Sequence, residues 1–566
     1  MKDGKIRVLL LLMLMIVPVL MFAQDDILVL TPSDGSAGTF VNEQILADTT
    51  ANHGLLPNRV YELQRDQVYL INAEMKLAKP GETLRLRAQD GSGAKPIIYL
   101  WQTGIGSNPE RPPGNVFRTQ GGDLELTNIA FTGFYEPVAE GLDNVQGNMF
   151  RNDVSGASFI FDGCIFSNIN GQILRTQNNT VKVSITNCIF SNLGALTTSN
   201  LGAGKGIDLR EKECVEFIME NNTFVNYQDR VVRHYNYGDP AAGTGLIHSG
   251  RINHNTIING MGYHGLLSLG NVGASMQITN NLFVDAFGLG EDSTDASRAA
   301  EWANTGEVYP NGNNRITWIF SAPNDVTHWE VSNNYFAISD SGQAFLDDYG
   351  FGPASPLSYH INSKLGADSA AAFTQIDLGL AEIPRMMTNM MRWYESPAGG
   401  DKSKNTPCAC FITATDDMDR RSIEFYRDTL DASYSTSSVA YTGAEDSYPV
   451  GDLNWFPDKK AEWENGGEVA VERIDVKAPS SFALGHNYPN PFNPTTTITF
   501  TIAQKGHTTL TVYNMLGQKV AVPVAEELQA GQYQVTFDAS SLASGMYLYR
   551  LESNGQVAVQ KMMLMK

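Results

Sequence analysis

The sequence predicts an all-β chain, a long solenoid of short parallel strands followed by a small β-sandwich. Two observations carry that expectation. One strand-sized segment recurs seven times between residues 126 and 336, and the chain ends in five short strands of alternating character punctuated by glycines 517, 531, 545 and 555. A length of 566 residues would by itself suggest about three domains, but the repeat merges most of it into one.

At the start, Lys2, Lys5 and Arg7 precede an apolar run from Val8 to Phe22, and Ala23 stands just before Gln24, Asp25 and Asp26. That is the layout of a cleaved signal peptide over residues 1–23, although Met21 is large for its position before the cut. The run is short for a bilayer and Pro18 interrupts it, so no transmembrane segment is expected in the mature chain. Residues 24–51 read as a lead-in.

The repeat then begins. Leu126-Thr-Asn-Ile-Ala-Phe131 is matched by Phe161 to Phe166, Ile185 to Phe190, Met219 to Phe224, Ile252 to Ile257, Ile278 to Phe283 and Val331 to Phe336. Their last residues are 35, 24, 34, 33, 26 and 53 positions apart. Most of these intervals suit one coil of a β-solenoid, whose coils cannot bury their apolar faces without neighbours. The longest implies an insertion, placed at residues 285–315, which are polar and rich in Asn, Asp and Gly. Stacked coils turn the recurrent phenylalanine into an internal aromatic ladder. The asparagines at 128, 187, 221, 280 and 333 are expected to hydrogen-bond from coil to coil and satisfy the turns. On these residues the segment 52–365 resembles the right-handed parallel β-helix of the pectate-lyase-like superfamily, within a group common in Bacteroidetes. The resemblance specifies fold far better than activity. A β-propeller would show a longer, more regular period and repeated Trp-Asp pairs, which are absent.

A second repeat runs on the same coils. Phe117-Arg118-Thr119, Phe150-Arg151-Asn152, Leu174-Arg175-Thr176, Leu209-Arg210-Glu211 and Val232-Arg233-His234 align, with Ser268 and Ser321 in the arginine's place afterwards. Arg118, Arg151, Arg175 and Arg210 precede their coil's phenylalanine by 13, 15, 15 and 14 residues, so they are expected to form a column of like charges. Two compensations stay open. One is internal, from Asp123, Asp153, Asp208, Glu211 or Glu213. The other is a ligand with regularly spaced carboxylates or sulfates, such as a polyuronate or sulfated glycan, for which these four arginines would be the substrate-binding residues.

Histidines gather beside this column. His234, His248, His254 and His264 lie close in sequence to Asp229, Arg230, Arg233, Tyr235, Tyr237, Arg251 and Tyr263. The superfamily resemblance implies β-elimination from uronates, which needs a base for the proton α to the carboxylate and a cation to neutralise that carboxylate. Arg233 is the candidate neutraliser, His234 or Tyr235 the candidate base, and His264 the next coil's candidate. The plainer alternative makes His254 a turn residue and leaves His234 bonded to a backbone carbonyl. The sequence departs from the characterised lyases in lacking their paired calcium-binding aspartates and their lysine and arginine motifs at matching positions. No metal site is assigned. Calcium is the cation that the oxygens of Glu291-Asp-Ser-Thr-Asp295 would suit, but the spacing and glycine of a calcium loop are missing, and the stretch reads as solvated insertion.

From residue 366 to 475 the repeat disappears and two short helices are expected, which reads as a cap over the last open coil. Met386, Met387, Met390 and Met391 stand at helical spacing before Trp393 and are expected to pack against the solenoid's end. Tyr448-Pro-Val-Gly-Asp-Leu-Asn-Trp455 resembles the segment that closes the helix in similar proteins. Residues 476–485 read as a linker.

The final segment opens with Asn487-Tyr-Pro-Asn-Pro-Phe-Asn-Pro494, where the prolines preclude helix. Strands follow at Thr495–Ile502, Thr508–Tyr513, Gln532–Asp538, Tyr547–Ser553 and Val557–Leu564. With Val512-Tyr-Asn-Met-Leu-Gly-Gln518, Gly545-Met-Tyr-Leu-Tyr-Arg550 and the basic end from Lys561 to Lys566, residues 486–566 resemble the type A C-terminal sorting domain of the type IX secretion system. The resemblance implies an Ig-like sandwich, the type IX machinery as partner, and export to the cell surface or extracellular space.

A net charge of −21 argues against nucleic acid as a partner. Among five cysteines, Cys164 and Cys188 sit in strand patterns and read as small buried apolar residues, Cys408 and Cys410 are too close for an easy mutual bridge, and Cys214 stands alone. No disulfide framework is expected. The reading is therefore a secreted or surface β-helix protein that binds or degrades polysaccharide, with a non-catalytic glycan-binding or structural surface protein as the alternative.

Overall fold

The computed structural model describes residues 25–101, 114–133, 148–169, 171–194, 203–235, 245–303, 316–380, 388–403, 411–412, 417–418, 430–466, 472–475, 482–515, 519–539 and 542–565. Residues 1–23, expected as a signal peptide, and Tyr237, Met386, Met387, Cys408 and Cys410 lie outside the described residues, as does most of the stretch 476–485 expected as a linker. The chain divides into two compact units, 25–460 and 461–566.

Three parallel sheets of ten, ten and nine strands build the first unit among the described residues, each strand pairing with its counterpart one coil on. Successive coils visit the sheets in one order, here called A, B and C, which is the β-helix expected from the repeat. The register is the one the phenylalanines imply. Along sheet B, Ile98, Phe131, Phe166, Phe190, Phe224, Ile257, Phe283 and Phe336 are consecutive partners. Their rings stack: Phe190 lies 4.2 Å from Phe224 at an interplanar angle of 1°. Sheet A contributes Leu86, Leu126, Phe161, Ile185, Met219 and Ile252 to the same dry interior.

The corner between sheets A and B explains the asparagines. Asn128, Asn187, Asn221, Asn280 and Asn333 all have φ between 54° and 59°, and Gly163 and His254 occupy the same corner with φ 63° and 51°. Asparagine tolerates this left-handed conformation better than other chiral residues. The coil-to-coil ladder sits one residue later than the sequence suggests. Asn222 Nδ2 donates to Asn255 Oδ1 (2.9 Å), Asn255 Nδ2 to Asn281 Oδ1 (2.9 Å) and Asn281 Nδ2 to Asn334 Oδ1 (2.8 Å), all fully buried. Cys188 and Cys164 continue that row; the Cys188 amide donates to Asn222 Oδ1, and Cys188 Sγ accepts from the Cys164 amide. Both thiols are buried and unbridged. A second ladder, Asn168, Asn192, Asn226 and Asn259, lines the far end of the sheet B strands, again at positive φ.

The solenoid starts inside the lead-in, because Asp26–Val29 already pairs in parallel with Arg59–Leu63. Helix α1 (Val41–Ala51) follows and buries Val41 and Ile45 in the core with Tyr61 and Tyr69. The insertion carries α2 (Ala296–Ala303). Beyond the repeat, α3 (Asp340–Tyr349) and α4 (Tyr359–Leu365) are each capped by a serine hydroxyl, Ser339 and Ser358. Helix α4 and the 3₁₀ turn at Gly366–Ala371 lie beside His328–Ser332, the last strand of sheet A, and Ile361 is buried in the solenoid core there.

The stretch expected to cap the end does something different. Residues 430–456 run back as a strap along the outer face of sheet B, burying Leu430, Tyr434 and Val450 against Val225, Ile258 and Val284. The corner residues hold it. Asn280 Oδ1 accepts from the Glu445 amide (3.0 Å), Asn221 Oδ1 from the Leu453 amide (3.2 Å), and Asn187 Oδ1 from Lys460 Nζ (2.8 Å). His254 Nδ1 lies 3.1 Å from the Gly451 carbonyl. The corner oxygens thus serve the strap, while the side-chain amides of Asn187 and Asn280 donate one coil back, to Asp162 (2.7 Å) and Asn253 (2.9 Å). Met390 and Met391, on α5 (Thr388–Glu395), pack with Met261, Tyr263 and Leu289 on a satellite core against the flank, not the end.

The second unit consists of two four-stranded antiparallel sheets around Ile498, Phe500, Val535, Leu510, Val512, Tyr549 and Leu551. Its proline-rich opening lies along the edge strand Gln556–Leu564, with the Phe492 amide donating to the Met563 carbonyl and the Met565 amide to the Phe492 carbonyl. This shields part of an otherwise open sheet edge. Among the described residues no helix is long and apolar enough to cross a membrane.

Candidate functional site

Sheet C carries the arginines on its outward side. Lys76, Arg118, Arg151 and Arg175 are consecutive register partners, and the row continues through Asp208, Arg233, Ser268 and Phe320. Two expected members are displaced. Arg210 leaves the row because the strand bulges between Asp208 and Arg210, where Arg210 takes φ 54°; Phe320, not Ser321, ends it. A bulge shifts side chains by one position, so counting back from the next phenylalanine cannot detect it.

Carboxylates interleave with the row. Arg118 donates from Nε and Nη2 to Asp153 and from Nη1 to Glu74, at 2.7 to 2.9 Å. Although burial pushes the Asp153 carboxyl up, the hydrogen bonds from Arg118 and Gln120 and the charges of Arg118 and Arg151 together hold it below its usual range. Arg233 grips Asp208 with two parallel bonds of 2.9 and 3.0 Å, and Asp208 is fully buried. Arg151 and Arg175 are held more loosely. Their nearest approaches, to Asp153 and Asp208, are 3.4 and 3.9 Å, their side chains are 33% and 32% exposed, and neither Nε has a hydrogen-bond partner among the described residues. Burial, then repulsion from Arg210, lowers the Arg175 pKa. Tyr235 forms a half-buried platform beneath Arg233 and Arg210, with ring centroid distances of 4.6 and 5.4 Å, and Arg210 also approaches Glu211 at 3.4 Å.

The histidines separate. His234 is completely buried, with Nε2 3.0 Å from the Lys212 carbonyl, and burial depresses its pKa to about 4, so the ring is neutral and turned away from solvent. His248 approaches Glu213 at 3.2 Å, and His254 holds the strap. Arg251 pairs with Glu220 on sheet A. His264 lies in a buried polar cluster that composition alone did not reveal: its Nδ1 is 2.7 Å from Asp229 Oδ1, while Lys205 Nζ lies 2.6 Å from Asp229 Oδ2. Burial would raise the Asp229 pKa, but His264, Lys205 and Arg230 together hold it well below the carboxylate range. Asp229 and Arg230 belong to the expected histidine neighbourhood. Lys205 does not, and its only sequence signal was a charge inside an otherwise apolar strand, Lys205-Gly-Ile-Asp-Leu-Arg210, whereas Asp208 of the same strand was among the carboxylates expected to compensate the arginines.

The acidic insertion is not solvated. Asp292 and Asp295 are buried; Lys402 bonds to Asp292, while Asp295 accepts from the Arg298 amide and from the Tyr394 hydroxyl (2.7 Å). A calcium ion there would compete with the Lys402 ammonium. Among the described residues no group of three or more His, Cys, Asp or Glu is arranged to hold a metal.

Fold and row together define the class, a parallel β-helix with a charged, partly open sheet face, joined to an antiparallel β module. Residues 486–565 match the family model of the secretion system C-terminal sorting domain. The C-terminal module is therefore a sorting tail, and it directs the chain through type IX secretion to the cell surface or extracellular space. No curated protein matches the chain.

Proposed function

We propose that this exported β-helix binds anionic polysaccharide along sheet C. The observation that carries the reading is the pair Arg151 and Arg175, adjacent in register, a third exposed and incompletely satisfied. Arg118 and Arg233 are rigidly held at either side by their carboxylates, and Tyr235 offers an aromatic face beside them. A polymer bearing regularly spaced carboxylates or sulfates would supply acceptors at the rungs where protein carboxylates fall short.

A lyase reading is the second. Arg233 and Tyr235 still adjoin each other, which is the pairing of neutraliser and base that β-elimination requires. Burial and the Glu211 hydrogen bond raise the Tyr235 pKa, which works against the phenolate that a base would need. Burial of His234 leaves Tyr235 as the more accessible base.

The test is to titrate the full chain with polyuronates and sulfated glycans, with and without calcium, while following absorbance of the unsaturated product. Binding should weaken steeply with salt and fall at least about ten-fold in Arg151→Ala/Arg175→Ala, a loss typical of central charged contacts. Affinity unchanged in that double variant would refute the strip. New absorbance abolished in Tyr235→Phe would establish the lyase, and binding without absorbance the recognition surface alone.

A further inference from the structure

An antiparallel sheet with one solvated face normally alternates apolar residues inward with polar residues outward. The C-terminal sheet departs from this on its last two strands. In Gly545–Ser553 the inward residues are Tyr547, Tyr549 and Leu551, and in Gln556–Leu564 they are Met562 and Leu564. The outward side is apolar as well. Met546 is paired with Met563, Leu548 stands opposite Lys561, and Val559 and Val557 stand opposite Arg550 and Glu552. These five apolar side chains are between 36% and 51% exposed, and Met515 and Met565 are more than 45% exposed. Lys561 stands among them, and Arg550 pairs with Glu552 at their margin. The Phe492 segment bonds along the Gln556–Leu564 edge of this sheet, so on that side it is the face that the module presents.

From this geometry we infer that the methionine-rich outer face of the strands Gly545–Ser553 and Gln556–Leu564 is the surface by which the type IX machinery holds this chain. The occupant is a protein component of that machinery with an apolar groove and at least one carboxylate to meet Lys561. Three observations select it. The module matches a sorting domain, so export requires that something read it. Contiguous exposed apolar surface of this kind marks a binding site more often than an accident of packing. Methionine side chains are flexible and polarizable and adapt to the surface they meet, which suits a protein groove. A lipid surface would need no such fitted pairing. The inference rests on the sorting match and is independent of glycan binding.

The experiment expresses the full chain in a type IX-competent host and compares exported with periplasmic protein. One variant replaces Met546, Leu548, Val557, Val559 and Met563 by threonine, which keeps strand propensity while removing apolar surface. A second, Lys561→Glu, changes only an exposed charge, and deletion of 486–566 sets the baseline. The five-fold variant should lose at least about ten-fold in export and accumulate in the periplasm as a folded, protease-resistant module, with Lys561→Glu shifted in the same direction. Export at the parent level in both the five-fold variant and Lys561→Glu, with the deletion retained, overturns the proposal. If the five-fold variant is degraded, Lys561→Glu decides alone, and its normal export overturns the proposal. Purified chain is also mixed with vesicles of outer-membrane phospholipid and lipopolysaccharide; binding there that the threonine variant abolishes would assign the face to lipid and overturn it too.

Discussion

One step along the backbone decides whether an asparagine serves the inside or the outside of this solenoid. Asn221 is a left-handed corner whose oxygen accepts from the strap, while Asn222 points into the core and bonds to Asn255. Truncating Asn255 would leave the Asn222 amide and side chain without their acceptor in a dry interior, so Asn255→Ala should destabilise the solenoid by roughly 2 to 4 kcal/mol in a chemical denaturation curve. Where the strap docks, one group on it and one beneath it titrate in opposite senses. Burial lifts Asp452 from 3.8 to about 7, so the docked strap holds a proton that the freed strap releases. Its stabilisation is complete below about pH 4 and lost as pH rises toward 7. His254 is pressed by burial from 6.5 to about 4, so its share is present above 6.5 and lost as pH falls toward 4. Asp452→Asn removes the first dependence alone. Relative to the parent, that variant should gain melting temperature steadily from pH 4 to pH 7 and then level off. A difference independent of pH would mean that Asp452 keeps an ordinary pKa.

Coils are cemented at the level of elements by stacking inside and by the strap outside. Phe190 is fully buried between Phe166 and Phe224, and its replacement by alanine should lower stability by about 3 to 5 kcal/mol, the usual range for a cavity of that size. The strap can be loosened without touching the core. Glycine tolerates the corner conformation but lacks the acceptor, so Asn221→Gly/Asn280→Gly should speed hydrogen exchange at the Leu453 and Glu445 amides by about ten-fold while the stacked strands stay protected. The phenylalanine register was fully legible from spacing, because every coil returns that side chain to the same interior position. The arginine row was legible through Arg118, Arg151 and Arg175 and then failed at Arg210, where a bulge put Asp208 in its place. That failure matters chemically, since the row is compensated from within by the residue that interrupts it.

At the scale of the whole molecule, the two units have separate hydrophobic cores, one shared by the three sheets of the solenoid and one confined to residues 482–564. Residues 25–460 expressed without the tail should therefore keep a cooperative melting transition of their own, and bind any glycan ligand with unchanged affinity. A solenoid that aggregates or loses its transition on truncation would contradict that independence.

The sequence by itself determined the coil, its interior aromatic ladder, the recurrent asparagine turns and the identity of the export tail, because each rests on local spacing or on a contiguous motif. Tertiary structure alone decided the rest. It turned the expected end cap into a lateral strap, since the corner asparagines offer hydrogen bonds that no local pattern assigns to a partner more than 150 residues away. It also buried His234, dispersed the other histidines and joined His264 to Asp229 and Lys205. Residues near in sequence fall on different sheets of a β-helix, and residues a coil apart become neighbours, so clustering along the chain is a poor guide to clustering in space.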